Sequence, residues 1–195
     1  MKELLFVDCC IRGGQSRTAA LARAFFGAVD EKAYHVTRLD LTAQDLKPLA
    51  GNFFEARQTL LAQGRLDHPR FRYAHQFAQA DLVVVAAPFW DLTYPALLKL
   101  YIENVSVDGI TFGCNAQGIY GKCRGEKLVF LTTRGGCYEG SPLEQGSRSM
   151  EALSQFFGFG SYACVAADGL DAEGADSRAI LDEACAKARD LAKAL

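Results

Sequence analysis

Histidine is scarce in this chain, and its cysteines keep no metal-binding spacing. The three histidines, His35, His68 and His75, are scattered, and no C-x-x-C pair occurs among the seven cysteines. A zinc site is therefore not expected. An odd cysteine count without paired spacing reads as free thiols in a reducing cytoplasm. Cys9-Cys10 could act as a redox pair only through a strained bridge between neighbours. No apolar run approaches the roughly 20 residues that span a bilayer, so membrane insertion is not expected. The net charge of -2 gives no electrostatic footprint for nucleic acid. The start of the chain runs straight into a strand, with no signal-peptide pattern, and a cytoplasmic location follows as an expectation. Linkers and internal repeats are also missing. The 195 residues, half of them hydrophobic, then fit a single domain over 1–195 with a full core.

Strand and helix signals alternate along the chain. Strands are expected at 3–8, 34–39, 82–87, 127–132 and 162–166. The run Leu82-Val83-Val84-Val85-Ala86-Ala87 is continuous and β-branched, as in a central strand covered on both faces. Helices are expected at 17–29, 53–63, 70–80, 95–105, 143–157 and 175–194. This alternation predicts an α/β fold: a doubly wound five-stranded parallel sheet of order 2-1-3-4-5 with helices on both faces. Ligands of such sheets bind beyond the carboxyl ends of the strands, near the switch point between strands one and three.

Three loops at that edge carry unusual residues. After strand one come Cys10-Ile11-Arg12-Gly13-Gly14-Gln15-Ser16-Arg17-Thr18 and then a helix. A glycine-bearing loop before a helix start aims backbone N–H groups and the positive helix end at one point, which suits a phosphate. The bland alternative is an ordinary N-cap by Ser16 or Thr18. Neither G-x-x-x-x-G-K-[ST] nor G-x-G-x-x-G follows the strand, so a nucleotide triphosphatase and the usual NAD site are not expected. A phosphomonoester such as FMN remains. After strand three, Pro88-Phe89-Trp90-Asp91-Leu92-Thr93-Tyr94-Pro95 holds the only tryptophan. It reads as a hydrophobic plug or as an aromatic wall along a planar ring. After strand four, Thr133-Arg134-Gly135-Gly136-Cys137-Tyr138 has a glycine pair that lets the backbone approach a ligand closely. Together the loops describe a phosphate site, an aromatic wall and a hydrogen-bonding floor.

With these residues in place, the chain resembles the flavodoxin-fold FMN-dependent NAD(P)H oxidoreductases, the bacterial azoreductases and quinone reductases. The resemblance covers nearly the whole length. It rests on Ala86-Ala87-Pro88-Phe89-Trp90, on Pro95-Ala96-Leu97-Leu98-Lys99-Leu100-Tyr101, on Gly109-Ile110-Thr111-Phe112, and on Thr133-Arg134-Gly135-Gly136. It implies that Cys10, Ser16, Arg17 and Thr18 face the FMN phosphate. Pro88, Phe89, Trp90, Asp91 and Leu92 would line the ring. Thr133, Arg134, Gly135 and Gly136 would close over its pyrimidine side, and Tyr138 would stand near the substrate as a proton or hydrogen-bond donor. Gly118-Ile119-Tyr120-Gly121 would belong to a substrate-side flap. The resemblance further implies ping-pong transfer from NADH or NADPH to a small-molecule quinone or azo acceptor, in a homodimer.

Two positions depart from the family pattern. Cys10 replaces a serine, and a thiol is the weaker donor. Asp91 stands where azoreductases commonly carry asparagine, and an ionised aspartate cannot donate to a ring carbonyl. Two other classes share the fold: a flavodoxin-like electron carrier and a flavin-based redox sensor without its own small-molecule substrate. A flavin reductase that releases its flavin is a third alternative. The modest net charge and the extra segment 109–125 argue against a carrier.

Overall fold

Period-two alternation inside the central strands decides how the layers stack. The computed structural model describes residues 1–195. In chain order the elements are β1 (Lys2–Asp8), α1 (Arg17–Phe26), β2 (Tyr34–Asp40), α2 (Gly51–Ala62), α3 (Arg72–Gln79), β3 (Leu82–Ala86) and α4 (Ala96–Val105). They continue with β4 (Phe112–Asn115), β5 (Gly118–Gly121), β6 (Lys127–Thr133), α5 (Gly146–Phe157), β7 (Tyr162–Ala167) and α6 (Ser177–Lys193). Leu5, Val7, Val83, Val85, Leu128 and Phe130 enter one core, beside Phe77 of α3, Tyr101 of α4 and Phe157 of α5. Leu4, Phe6, Leu82, Val84, Val129 and Leu131 enter the other, beside Phe25 of α1 and Ala188 of α6. Burying each such side chain contributes about 1.5–3 kcal/mol before chain entropy is counted. Every residue of β3 is buried, which explains its unbroken apolar sequence.

The main sheet has the order β2-β1-β3-β6-β7, with every pairing parallel. This is the expected 2-1-3-4-5 sheet, with β6 and β7 as its fourth and fifth strands. No helix is long and apolar enough to cross a membrane.

Helix α1 ends at Phe26 rather than near 29, with Gly27 at its C-cap, and the chain differs from the expected elements in two further places. The segment between α4 and β6 forms a separate antiparallel hairpin, β4–β5. Its strands are four residues long and rich in glycine, too short for alternation to register. Helix α5 begins at Gly146 rather than near 143, because the Glu144 carboxylate accepts the Ser147 N–H at 2.8 Å and closes the preceding turn. The Gly109-Ile110-Thr111-Phe112 segment has a structural explanation. Buried Thr111 donates its hydroxyl to the Val105 carbonyl at 2.7 Å and accepts the Val107 N–H at 3.0 Å. It thereby fastens the end of α4 to the hairpin.

Candidate functional site

The carboxyl ends of β1, β3, β6 and β7 surround a cavity of about 650 Å³, within the usual range for small-molecule sites. At its first wall, Ser16 N-caps α1 by accepting the Ala19 N–H at 3.2 Å. The N–H groups of Arg17 and Thr18, first in the helix, find no acceptor in the chain. Those free donors and the positive helix end make an anion cradle. The cap and the cradle thus coexist on one loop. Thr18 is fully buried, and its hydroxyl meets that of Thr133 at 2.6 Å, tying the start of α1 to the end of β6.

Arg17 forms a two-pronged pair with Asp171, at 2.7 and 2.8 Å. The guanidinium holds the Asp171 carboxyl below the usual carboxylate range. Asp171 also donates its N–H to the Gly135 carbonyl at 2.7 Å. A side chain on Gly135 would press against the Asp171 carboxylate, 2.6 Å from its Cβ position, so that carboxylate, and its pairing with Arg17, would have to shift.

The second wall is a tight turn. Thr93 N–H bonds to the Trp90 carbonyl at 2.8 Å, and both central residues, Asp91 and Leu92, have positive φ, 47° and 66°. Such turns normally call for Asn-Gly or Asp-Gly. Aspartate tolerates the left-handed region, whereas Leu92 there is strained by on the order of 1–3 kcal/mol. The Gln145 N–H bonds the Leu92 carbonyl at 3.0 Å and holds the turn in place. The N–H groups of Trp90, Asp91 and Leu92 have no acceptor in the chain. Trp90 is 43% exposed at the cavity wall, and Phe89 packs on Tyr138 with ring centroids 4.7 Å apart.

The third wall is Thr133, Gly135, Gly136 and Tyr138. The N–H groups of Gly135 and Gly136 again have no acceptor in the chain. All the residues anticipated for the site line this cavity except Cys10, Arg134 and the flap residues Gly118, Ile119, Tyr120 and Gly121. Cys10 is buried beneath the first loop, its sulfur 4.0 Å from the Ala86 carbonyl oxygen. Burial, reinforced by the Asp8 carboxylate, pushes its thiol well above the ordinary value, and burial pushes Cys9 up to about 12. Two neutral, buried neighbours make a poor redox pair. The Arg134 side chain turns away from the cavity toward Glu144 and Asp168. Conversely, Ile11, Arg12 and Asp171 line the cavity without having been anticipated. Arg12 lies inside the first loop and was readable as a second cation. Asp171 follows the last strand, at an edge position outside the three loops.

The polar groups fit a flat ring carrying a phosphate arm. Free helix-end donors and Arg12 and Arg17 gather at one end. Free backbone donors from two loops line the other, and aromatic side chains stand between them. Residues 2–192 match the family model described as flavodoxin-like fold. Two curated relatives extend over the full chain. The chain is 35% identical to "FMN-dependent NADH:quinone oxidoreductase 2" of Clostridium acetobutylicum, covering 99% of each. It is 32% identical to "FMN-dependent NADH:quinone oxidoreductase" of Caldicellulosiruptor saccharolyticus, again covering 99% of each. Among solved structures, the azoreductase from Bacillus anthracis str. Sterne superposes with a TM-score of 0.88 at 25% identity, covering 100% of both chains.

Proposed function

Since the chain belongs to the flavodoxin-like fold family, we infer that it works as an FMN-dependent NADH:quinone oxidoreductase, with azo compounds as further acceptors. The observation that carries this is the convergence of three loops on one cavity, each presenting unpaired backbone donors to it. The names of full-length relatives supply the cofactor and the donor. When bound, FMN supplies the two-electron chemistry between NADH and the acceptor.

The chain's residues bind and orient. The start of α1, with Arg17 and Thr18, holds the phosphate. Phe89 and Trp90 screen the ring from water on one side. The Gly135 and Gly136 N–H groups donate to its polar edge, where fixed dipoles need no reorganisation. Donor and acceptor taking turns over one face of the bound ring would give ping-pong kinetics. The seven free cysteines support a cytoplasmic location. Exposed Ile119 and Tyr120 on β5 leave apolar surface on the hairpin, which supports a homodimer. The uninterrupted sheet with both faces covered supports reading 1–195 as one domain.

The test is an absorbance spectrum of the protein with FMN, before and after anaerobic NADH. The bound band should bleach with NADH and recover when a quinone is added. A bound band that both NADH and NADPH leave intact would make the protein a carrier or sensor instead.

Two substitutions probe the ring environment. Asp91→Asn keeps a residue that tolerates positive φ but removes a charge that opposes negative charge on the ring. The two-electron potential of bound FMN should rise by about 30 mV, the equivalent of about 1.4 kcal/mol. An unchanged potential in spectroelectrochemical titration would mean that Asp91 contacts the ring only through its backbone. Tyr138→Phe removes the one side-chain hydroxyl on the third wall beyond Thr133. Quinone turnover should fall about tenfold or more, as for loss of a proton donor, with FMN affinity unchanged. Unchanged turnover of every acceptor in steady-state assays would end that assignment.

A further inference from the structure

Arg134 lies next to the glycine pair of the third wall, yet its side chain leaves the cavity and is only 5% exposed. One guanidinium nitrogen reaches the Glu144 carboxylate at 3.2 Å and the other reaches Asp168 at 3.3 Å. Removing such a group from water is costly, and an apolar side chain could fill the same space. A buried ionic cluster is therefore a weak device for stability, and its arrangement points to placement.

Two connections lead from Arg134 to Tyr138. The second oxygen of Asp168 accepts the N–H groups of Tyr138 and Glu139, at 2.8 and 3.1 Å. The guanidinium carbon also lies 5.7 Å from the centre of the Phe89 ring, and that ring packs on Tyr138. Glu144 closes the other end of the loop through its bonds to Ser147 at the start of α5. Both ends of the loop thus rest on one planar cation. A lysine, with a point charge and no fork, cannot hold two carboxylates in the same geometry.

We propose that Arg134 is a positioning residue, holding the Tyr138 backbone through Asp168 and the Tyr138 ring through Phe89, so that the hydroxyl is presented to the acceptor. The presentation to an acceptor rests on the proposed role of Tyr138; the holding of the loop does not.

The test compares Arg134→Lys and Asp168→Asn with the parent chain, as apoprotein and loaded with FMN. Amide hydrogen exchange in both forms should be about tenfold or more faster at Tyr138 and Glu139, and unchanged in β1 and β3. Quinone kcat in Arg134→Lys should fall about tenfold. The same substitution made in a Tyr138→Phe background should change kcat little, because the two act as one unit. Should Arg134→Lys fail to fold, Asp168→Asn carries the test, with the same pattern in weaker form. Unchanged exchange at Tyr138 and Glu139 in the folded variants overturns the proposal. So does faster exchange throughout the molecule, or a kcat loss that persists in full without the Tyr138 hydroxyl. If Tyr138→Phe alone leaves turnover intact, the donor role of Tyr138 falls, and the exchange data still decide whether Arg134 holds the loop.

Discussion

Ser16→Asp is expected to weaken FMN binding about a hundredfold or more while leaving the apoprotein at least as stable as the parent. The two effects separate because Ser16 has a local role and a site role. Locally it caps α1, accepting the Ala19 N–H. Aspartate caps a helix as well as serine does, and its charge at a helix start contributes about 0.3–1 kcal/mol. At the site, Ser16 is 8% exposed and lines the cavity beside Arg17 and Thr18. A carboxylate there faces the phosphate. Two like charges 4 Å apart repel by about 4 kcal/mol at an effective dielectric near 20, which alone is worth nearly three decades in affinity. Arg12 offsets part of that, Arg17 being already paired with Asp171, which leaves about two. Fluorescence titration of FMN gives the affinity and a thermal melt gives the stability. Unchanged affinity would mean that the phosphate does not sit at the start of α1. A lower melting temperature of the apoprotein would mean that the position matters for packing as well as for capping.

That separation was partly legible in the sequence, because Ser16 offered both a cap and a cradle, and the glycine pair and flanking arginine favoured the cradle without excluding the cap. The structure has both, since the side-chain oxygen satisfies Ala19 while the N–H groups of Arg17 and Thr18 stay free. The central strand and its place in the sheet were legible for a simpler reason. A five-residue apolar run buried on both faces has few other uses. The hairpin β4–β5 was not legible, because four-residue strands containing Gly113, Gly118 and Gly121 carry no periodic signal. Asp171 escaped for a different reason. Its partner Arg17 lies 154 positions away in sequence, and only the fold brings them together. A turn between Pro88 and Pro95 was legible, but the left-handed conformation of Asp91 and Leu92 within it was not, since their positive φ angles are held by contacts such as the Gln145 bond and not by a turn-forming pair. Arg134 shows what a resemblance transfers. It fixes a position on the third loop but not the direction of the side chain, which two buried carboxylates set here.

Gly121→Ala is expected to destabilise the protein by about 3 kcal/mol, near the upper end for forced overpacking. Gly121 ends β5 where that strand crosses the end of α5. A Cβ on Gly121 would lie far inside contact distance of the Phe157 carbonyl carbon and the Gly158 nitrogen. Both obstacles are backbone, so no rotamer change can relieve the overlap. Gly158 cannot yield either. It caps α5 in the left-handed region, at φ 87°, and a Cβ there would come within 3.0 Å of the Gly121 Cα. Two glycines therefore allow a crossing of backbone on backbone, which the Cys123 N–H fastens to the Phe157 carbonyl at 3.1 Å. For a chain of this size the cost corresponds to a fall of about 6–12 °C in melting temperature. Gly14→Ala is the matched control. Its φ is not positive and nothing lies within 4 Å of the added carbon, so its stability should stay within about 0.5 kcal/mol of the parent. If Gly121→Ala melts with the control, the hairpin is not seated on α5. The exposed Ile119 and Tyr120 would then ride on a free flap.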